Sequence, residues 1–420
     1  MDVYNLVSFI GLFVLMALAW CVSTSRRRMN WRVICWGVGI QLALGMLIFW
    51  APGSKTVFEW LNNLVVKLLE AARAGQEFLF GNLALEKWRE GPNAGQYTPW
   101  RFVLAIQALP TIIFFSALMA LLYYWRIMPW IVRGFSWLFT RLMRISGAES
   151  LCSASNIFVG IESATTVRPY LAKMTRSEFC TILTAGMATI ASSVLGLYVL
   201  FLKDVYPDIA GHLISASILS APAAIVMSKI LLPEDGRPLT MGRSVKGHVE
   251  AEPSAIAAVI SGSMAGVRLV VGVCALLIAF LGIIALVNLA LDAAGLVSLA
   301  ELLGYVFRPL AAVIGIPWED SQAAGELLGM RLVVTELPAY LELNKAIAAD
   351  TFTHARTPVV TIYALCGFAH VASLAIFIGG IAALVPERRK DLAAVGPRAL
   401  LAATLACLMT GAVAGTFFLN

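Results

Sequence analysis

The sequence predicts an all-α integral membrane protein: eight transmembrane helices, two re-entrant hairpins and interfacial helices, with an internal inverted repeat. Three observations predict it. The 420 residues are 60% hydrophobic and only 13% charged, about half the charged share of an ordinary soluble domain, and the mean hydropathy is +0.82. Apolar stretches long enough to cross a bilayer core, about 20 residues each, recur along the whole chain. Two such stretches, far apart in sequence, also carry the same short pattern of small and polar residues.

The eight spans fall at about 4–24, 32–52, 101–124, 178–202, 211–231, 256–291, 359–384 and 396–418. The first follows "MDVYN", which has no basic residue, and precedes "SRRRMNWR", a cytoplasmic stop, so it reads as a retained helix and not as a signal peptide. Residues 53–98 mix charges and read as an interfacial helix plus a loop containing "EKWREGPNAGQ". In "RIMPWIVRGFSWLFTRLMR", Arg126, Arg133, Arg141 and Arg144 alternate with Trp and Phe, the pattern of a basic amphipathic helix lying in the membrane interface. The sixth span is long enough to tilt or project, and residues 233–254 before it read as a polar linker.

Lys and Arg cluster beside alternate span ends, which places both termini outside and the basic loops in the cytoplasm of a multi-pass protein of the cell inner (cytoplasmic) membrane. The net charge of +6 is therefore a topology signal and not a nucleic-acid footprint. The bilayer is the expected partner. Seven scattered cysteines have neither metal-ligand nor redox spacing, so no disulfide is expected.

"GMATIAS" (186–192) and "GFAHVAS" (367–373) share Gly, Ala, Ala and Ser in register. Upstream of each lies a short segment with a lone glutamate, Glu162 in "VGIESA" and Glu336 in "VVTELPAY", and one further span follows each. The order is the same twice, and the two copies run in opposite directions across the membrane. Such inverted repeats mark secondary transporters, whose substrate and ion sites lie between broken or re-entrant helices near mid-membrane. The chain divides into residues 1–145 (scaffold and interfacial helices), 146–232 (first repeat: hairpin 1, spans four and five), 233–298 (linker and span six) and 299–420 (second repeat: interfacial helix, hairpin 2, spans seven and eight).

Intramembrane carboxylates are costly and read as functional. Glu162 and Glu336, with the hydroxyls of Ser163, Thr335 and Ser373, His370 and the ring of Phe368, suit a neutral polyhydroxylated ligand with a flat ring. A small hard cation needs oxygen ligands. Asn156 and Thr189 offer side-chain oxygens, and helix breaks near Val159 and Ile190 offer backbone carbonyls. His370, whose ordinary pKa lies near neutrality, opens proton coupling as a second possibility. No cofactor is expected beyond the coupling ion, sodium or proton. The chain carries no ring of pore-lining charge, and no nucleophile–base–orienter set, so a transporter is favoured over a channel or an enzyme.

At these residues the sequence resembles the concentrative nucleoside transporters. "NIFVG" followed by Glu162 and "VRPY" resembles the family's first-hairpin motif, and "HLISASILSAPAAIVMSKILLPE" its fifth span. "GIPWED", "GELLGM" and "TELPAY" resemble its second hairpin, and "YALCGFAHVASLAI" its seventh span. The resemblance implies a homotrimer of eight-span protomers, a scaffold around a moving transport domain, and sodium-driven uptake of a nucleoside or nucleoside-like substrate. It implies that Glu162 contacts the nucleobase side, that Glu336, Phe368 and Ser373 line the ribose side, and that Asn156, Val159, Thr189 and Ile190 hold sodium. Three departures stand out. The family's Gly-Gln-Thr-Glu is here Gly160-Ile161-Glu162, one residue shorter and without the base-reading amide. Its Asn-Glu is Thr335-Glu336, and its ribose-binding asparagine is His370. A proton-coupled transporter of a modified nucleoside, or of another small hydroxylated compound, is the alternative.

Overall fold

The computed structural model describes residues 2–87, 96, 98–100, 102–248 and 252–419, with the side chains of Lys55 and Ile161 excepted. All regular structure among the described residues is helical: α1 (Val3–Cys21), α2 (Trp31–Trp50), α3 (Ser54–Phe80), α4 (Thr111–Tyr124), α5 (Ile127–Met143), α6 (Gly147–Asn156), α7 (Arg168–Leu171), α8 (Arg176–Ala188), α9 (Ser192–Leu202), α10 (Ile209–Leu231), α11 (Ala255–Ala293), α12 (Leu299–Val313), α13 (Ser321–Val333), α14 (Glu336–Ala348), α15 (Arg356–Leu365), α16 (Val371–Leu384) and α17 (Arg389–Phe417). Part of the loop expected within 53–98, residues 88–95 and 97, lies outside the described residues.

Six of the eight expected spans form essentially as placed. The third opens with one π-helical turn (Leu104–Ala108) ahead of α4, and the eighth begins earlier than expected, at Arg389. The other two are broken. Span four is α8 and α9, parted at Thr189–Ala191, and span seven is α15 and α16, parted at residues 366–370. At the second break Gly367 has φ +105°, and a Cβ there would stand 2.6 Å from Ala188 C and O. A side chain fits neither the backbone angle nor the space.

Two helix–turn–helix hairpins flank these breaks. In the first, α6 turns at Ile157–Gly160 into a 3₁₀ segment, Ile161–Val167, and then α7; in the second, α13 turns at Val334–Thr335 into α14. Burial sorts the spans into two rings. The most apolar stretches of α8–α9, α10 and the α17 span are 83–89% buried, whereas that of α11 is 6% buried. The broken span and its neighbours therefore form the core, and α11 lies outside against α4. There Gly262 and Gly266 let the two backbones approach, since a Cβ at either would press on Ser116, Ala117 or Ile113 at 2.7–2.9 Å.

The basic helix expected at 126–144 is α5. Its exposed stripe holds Trp130, Arg133, Trp137 and Arg141, while Val132, Phe139 and Met143 are buried. The stretch expected as a free linker is instead strapped onto hairpin 1. Gly147 N donates to Thr240 O, Gly242 N to Ile145 O, and His248 N to Thr166 O at 2.8 Å. Polar composition gave no hint of these contacts, because they are made by backbone; the Thr240 hydroxyl adds to them, 2.8 Å from Ser146 Oγ and accepting from Ala148 N at 3.1 Å.

A buried charge cluster ties hairpin 1 to the core. Glu149 closes a capping box with Ser146 at the start of α6, and its other oxygen lies 2.8 Å from Lys229 Nζ on α10. Lys229 also reaches Ser177 Oγ at 3.0 Å and Glu234 at 3.5 Å. Removing one member of a buried pair strands the other charge, which costs about 3–5 kcal/mol. Lys229→Met is therefore expected to lower the melting midpoint in detergent sharply. Lys345→Met, which breaks an exposed pair with Glu342, is expected to leave it nearly unchanged; equal shifts for the two would refute the reading.

Candidate functional site

A helix broken inside a membrane leaves carbonyls and N–H groups that water cannot satisfy, so other parts of the chain must do so. In the first repeat the turn of hairpin 1 and the break in span four satisfy each other. Ser192 N donates to Phe158 O at 2.8 Å. Ser217, reaching in from α10, donates its hydroxyl to Ile157 O at 2.8 Å and accepts from Ile190 N at 3.4 Å. These bonds bring the two segments that carry Asn156, Val159, Thr189 and Ile190 side by side.

Asn156 and Thr189 are both enclosed, at 0% and 1% exposure. Asn156 Oδ1 accepts from Ser163 Oγ at 2.8 Å, and Thr189 Oγ1 donates to Ala185 O at 2.8 Å. The threonine oxygen therefore keeps its lone pairs for another partner. The segment thus offers side-chain and backbone oxygens with no basic residue in the last turn of α6.

The second cluster gathers around Glu336, the first residue of α14, which is 4% exposed. Tyr198 OH donates to Glu336 Oε1 at 2.7 Å, and His370 Nε2 stands 2.9 Å from Oε2. His370 is the N-cap of α16, and its Nδ1 accepts from Ser373 N at 3.2 Å. A ring nitrogen that accepts from an N–H carries no proton, so the neutral imidazole holds its hydrogen on Nε2. That hydrogen meets the Ser373 hydroxyl, 2.8 Å away, with Glu336 Oε2 2.9 Å from the same nitrogen. Thr335 Oγ1 is buried beside it without a partner among the described protein atoms, and Phe368 is half-buried in the break.

A cavity of 910 Å³ opens on one side of this arrangement. Glu162, Val159, Thr165 and Ser193 line it from hairpin 1 and α9, with Tyr123 of α4 and Arg133 of α5 opposite. Sequence reading placed both glutamates in one pocket. The structure separates them: Glu162 faces the cavity, whereas Glu336, Phe368, His370 and Ser373 are not in its lining. Helix α16 packs against the Ile161–Val167 turn, so the clusters adjoin. Ser163 turns away from the cavity toward Asn156, Gly160 sits in the turn against Ala191, and the side chain of Ile161 lies outside the described residues.

Sequence reasoning missed Tyr198 and Ser217. A signal for each was present. A tyrosine in a wholly apolar span needs a partner for its hydroxyl, and "HLISASILSAP" is more polar than a lipid-facing helix requires. Which residues they meet, 138 and 60 positions away, is set only by packing. The Tyr198 ring also stacks on Tyr340, with centroids 4.6 Å apart. A hydrogen bond to a charged group contributes about 1.5–3 kcal/mol. Tyr198→Phe is expected to depress the melting midpoint clearly more than Tyr305→Phe, whose ring is exposed; a matching small shift in both would show that the Glu336 bond carries no weight.

Three family models match in chain order: Na+ dependent nucleoside transporter N-terminus over residues 10–83, nucleoside recognition (gate) over 105–205, and Na+ dependent nucleoside transporter C-terminus over 212–415. Among curated proteins, mouse solute carrier family 28 member 3 is 36% identical, over 98% of this chain and 58% of its own length. Human sodium/nucleoside cotransporter 1 is 34% identical, over 99% of this chain and 64% of its own length. The chain thus spans about three-fifths of the length of the curated relatives it matches. The solved structure of CNTnw in an inward-facing substrate-bound state superposes with a TM-score of 0.89 at 35% identity, covering 98% of both chains. An outward-facing variant of CNTnw gives 0.88 at 34% identity, covering 99% of this chain and 98% of that one.

Proposed function

The chain belongs to the Na+-dependent nucleoside transporter family, and on that premise we propose that it is a cation-coupled symporter importing nucleosides across the cytoplasmic membrane. The observation that carries this reading is the mutual stitching of the hairpin-1 turn and the span-four break, which sets Asn156 and Val159 beside Thr189 and Ile190. Enclosed amide, hydroxyl and backbone oxygens beside a half-helix C-terminus are what a small hard cation needs. Sodium is the coupling ion in this reading. It enters as co-substrate, and its charge there favours closing the turn onto the break.

The substrate lies between the two clusters. Glu162 meets it from the cavity side, with Gly160, Ile161 and Ser163 shaping the hairpin turn. Thr335, Glu336, Phe368, His370 and Ser373 meet the hydroxyl-rich half. Carboxylates accept from vicinal hydroxyls, and the Phe368 ring offers a flat face. The hairpins and broken spans form the moving part, and α4, α5 and α11 the frame. The inward- and outward-facing states described for CNTnw support an elevator-like alternation between the two. The lipid-exposed length of α11, beyond its contact with α4, fits a frame helix shared among the subunits of a homotrimer.

A second reading has an observation of its own. His370 at 2.9 Å from Glu336 is a titratable pair at the substrate's hydroxyl side, which suits proton coupling and an altered, modified nucleoside. Uptake of radiolabelled uridine and adenosine into proteoliposomes, under an inward sodium or an inward proton gradient, separates the two. Sodium-driven uptake is expected, reduced by about 10–100-fold in Glu336→Gln, the weight of one or two charge-assisted hydrogen bonds. Asn156→Ala is expected to raise the sodium concentration required while substrate binding at saturating sodium persists. Uptake driven by protons alone, with normal transport in Glu336→Gln, would sink the sodium reading and the role of Glu336 together.

A further inference from the structure

A buried arginine faces the break in the second repeat. Arg331 stands in the last turn of α13 and is fully enclosed. Its Nη1 donates to Ala364 O at 2.6 Å, in the last turn of α15, where span seven breaks. Its Nε and Nη2 have no hydrogen-bond partner among the described protein atoms. Tyr340 and Cys366 lie near enough to interact with its charge, the Cys407 thiol is a weak hydrogen-bond partner, and no described carboxylate pairs with it.

The other buried cations are better supplied. Lys229 has Glu149 and Glu234, and Arg356 donates to Asn5 Oδ1, Ser8 Oγ and Gly415 O. A buried cation with no counter-ion is among the costliest groups a fold can hold. What offsets the cost at Arg331 is the end of α15, where unpaired carbonyls gather partial negative charge.

Matched by their helix ends and not residue by residue, the two repeats present a similar arrangement with different occupants. In the first, the C-terminal end of α6 meets the C-terminal end of α8 at a helix break. In the second, the C-terminal end of α13 meets the C-terminal end of α15 at a helix break. The last turn of α6 holds no basic residue, and that of α13 holds Arg331. We propose that Arg331 is a tethered cation, standing in the second repeat where a mobile sodium ion stands in the first. One mobile cation then accompanies each substrate, because the symmetry-related place is permanently filled. This rests on the sodium reading above for the first repeat only.

The test combines two measurements on the full-length protein. The coupling ratio of the unmodified protein is taken from the reversal potential of nucleoside flux in proteoliposomes. Melting midpoints of purified protein are taken in choline, sodium and millimolar guanidinium chloride. One sodium per nucleoside is expected; two would overturn the proposal. Arg331→Ala, which removes the charge and leaves room for an ion, is expected to melt lower and to regain part of the loss in sodium or guanidinium. The unmodified protein and Arg331→Lys are expected to show no guanidinium gain. An Arg331→Ala protein that melts like the unmodified one, or that no added cation restores, would overturn the proposal. If that variant cannot be purified, the coupling ratio still decides. If sodium has no effect on the unmodified protein, the first-repeat assignment fails, while guanidinium rescue of Arg331→Ala still tests the tethered cation by itself.

Discussion

The structure depends on one constraint: a helix interrupted inside a bilayer must have its loose ends satisfied by the protein itself. Each of the two broken spans exposes carbonyls from one half-helix and N–H groups from the other. At the first break, Ser217 and the backbone of Phe158 and Ser192 meet them. At the second, the His370 ring takes an N–H of α16, while Cys407 Sγ meets Cys366 O and Arg331 meets Ala364 O. The partners come from hairpins and from neighbouring spans. The breaks are therefore stable only when the hairpins are in place, and the hairpins are held by the breaks. The site is the meeting point of these mutual obligations.

The buried charges obey the same constraint. Glu149 and Glu178 close capping boxes at the starts of α6 and α8, Glu336 opens α14, and Asp320 sits just before α13, where it accepts from Thr353, Thr357 and His354 N. Lys229 and Arg331 stand in last turns. Negative groups at helix starts and positive groups at helix ends follow the direction of the helix dipole. Arg356 begins a helix and so breaks the pattern along its own chain. Its guanidinium, however, meets Gly415 O in the last turn of α17. Each buried arginine thus faces the end of some helix, and the core can hold charge where it needs polar chemistry.

Much of this was legible in the sequence and some was not. Apolar length located the spans, and the "GMATIAS"/"GFAHVAS" match falls on both breaks, although only the one near Ile190 was expected from the sequence. The same match did not say that span seven is cut in two, since hydropathy averages over a five-residue gap. It also suggested one pocket with two carboxylates. Pairing of Glu336 with Tyr198 and His370 depends on how α9, α14 and the span-seven break pack, and no spacing encodes that. The strap of residues 240–248 was invisible for a different reason: apart from the Thr240 hydroxyl, the bonds it makes to hairpin 1 use backbone N–H and C=O groups, which every sequence supplies. Arg331 was visible as a charge in "GELLGMRLVV", but its burial was not.

The departure at His370 has a definite chemical meaning. Where the family resemblance expects an asparagine, which can both donate and accept, the imidazole has already committed Nδ1 to the α16 cap. Only the Nε2 hydrogen remains, and it is directed at Glu336 and Ser373. This position therefore has both ring nitrogens engaged within the protein, and it cannot accept from a ligand without giving up the cap. Glu336 keeps unused lone pairs beyond those facing Tyr198 and His370, and Thr335 Oγ1 is unpartnered. In the proposed reading, acceptance of hydrogen bonds from substrate hydroxyls falls to Glu336 and Thr335, while His370 and Tyr198 hold the carboxylate in place.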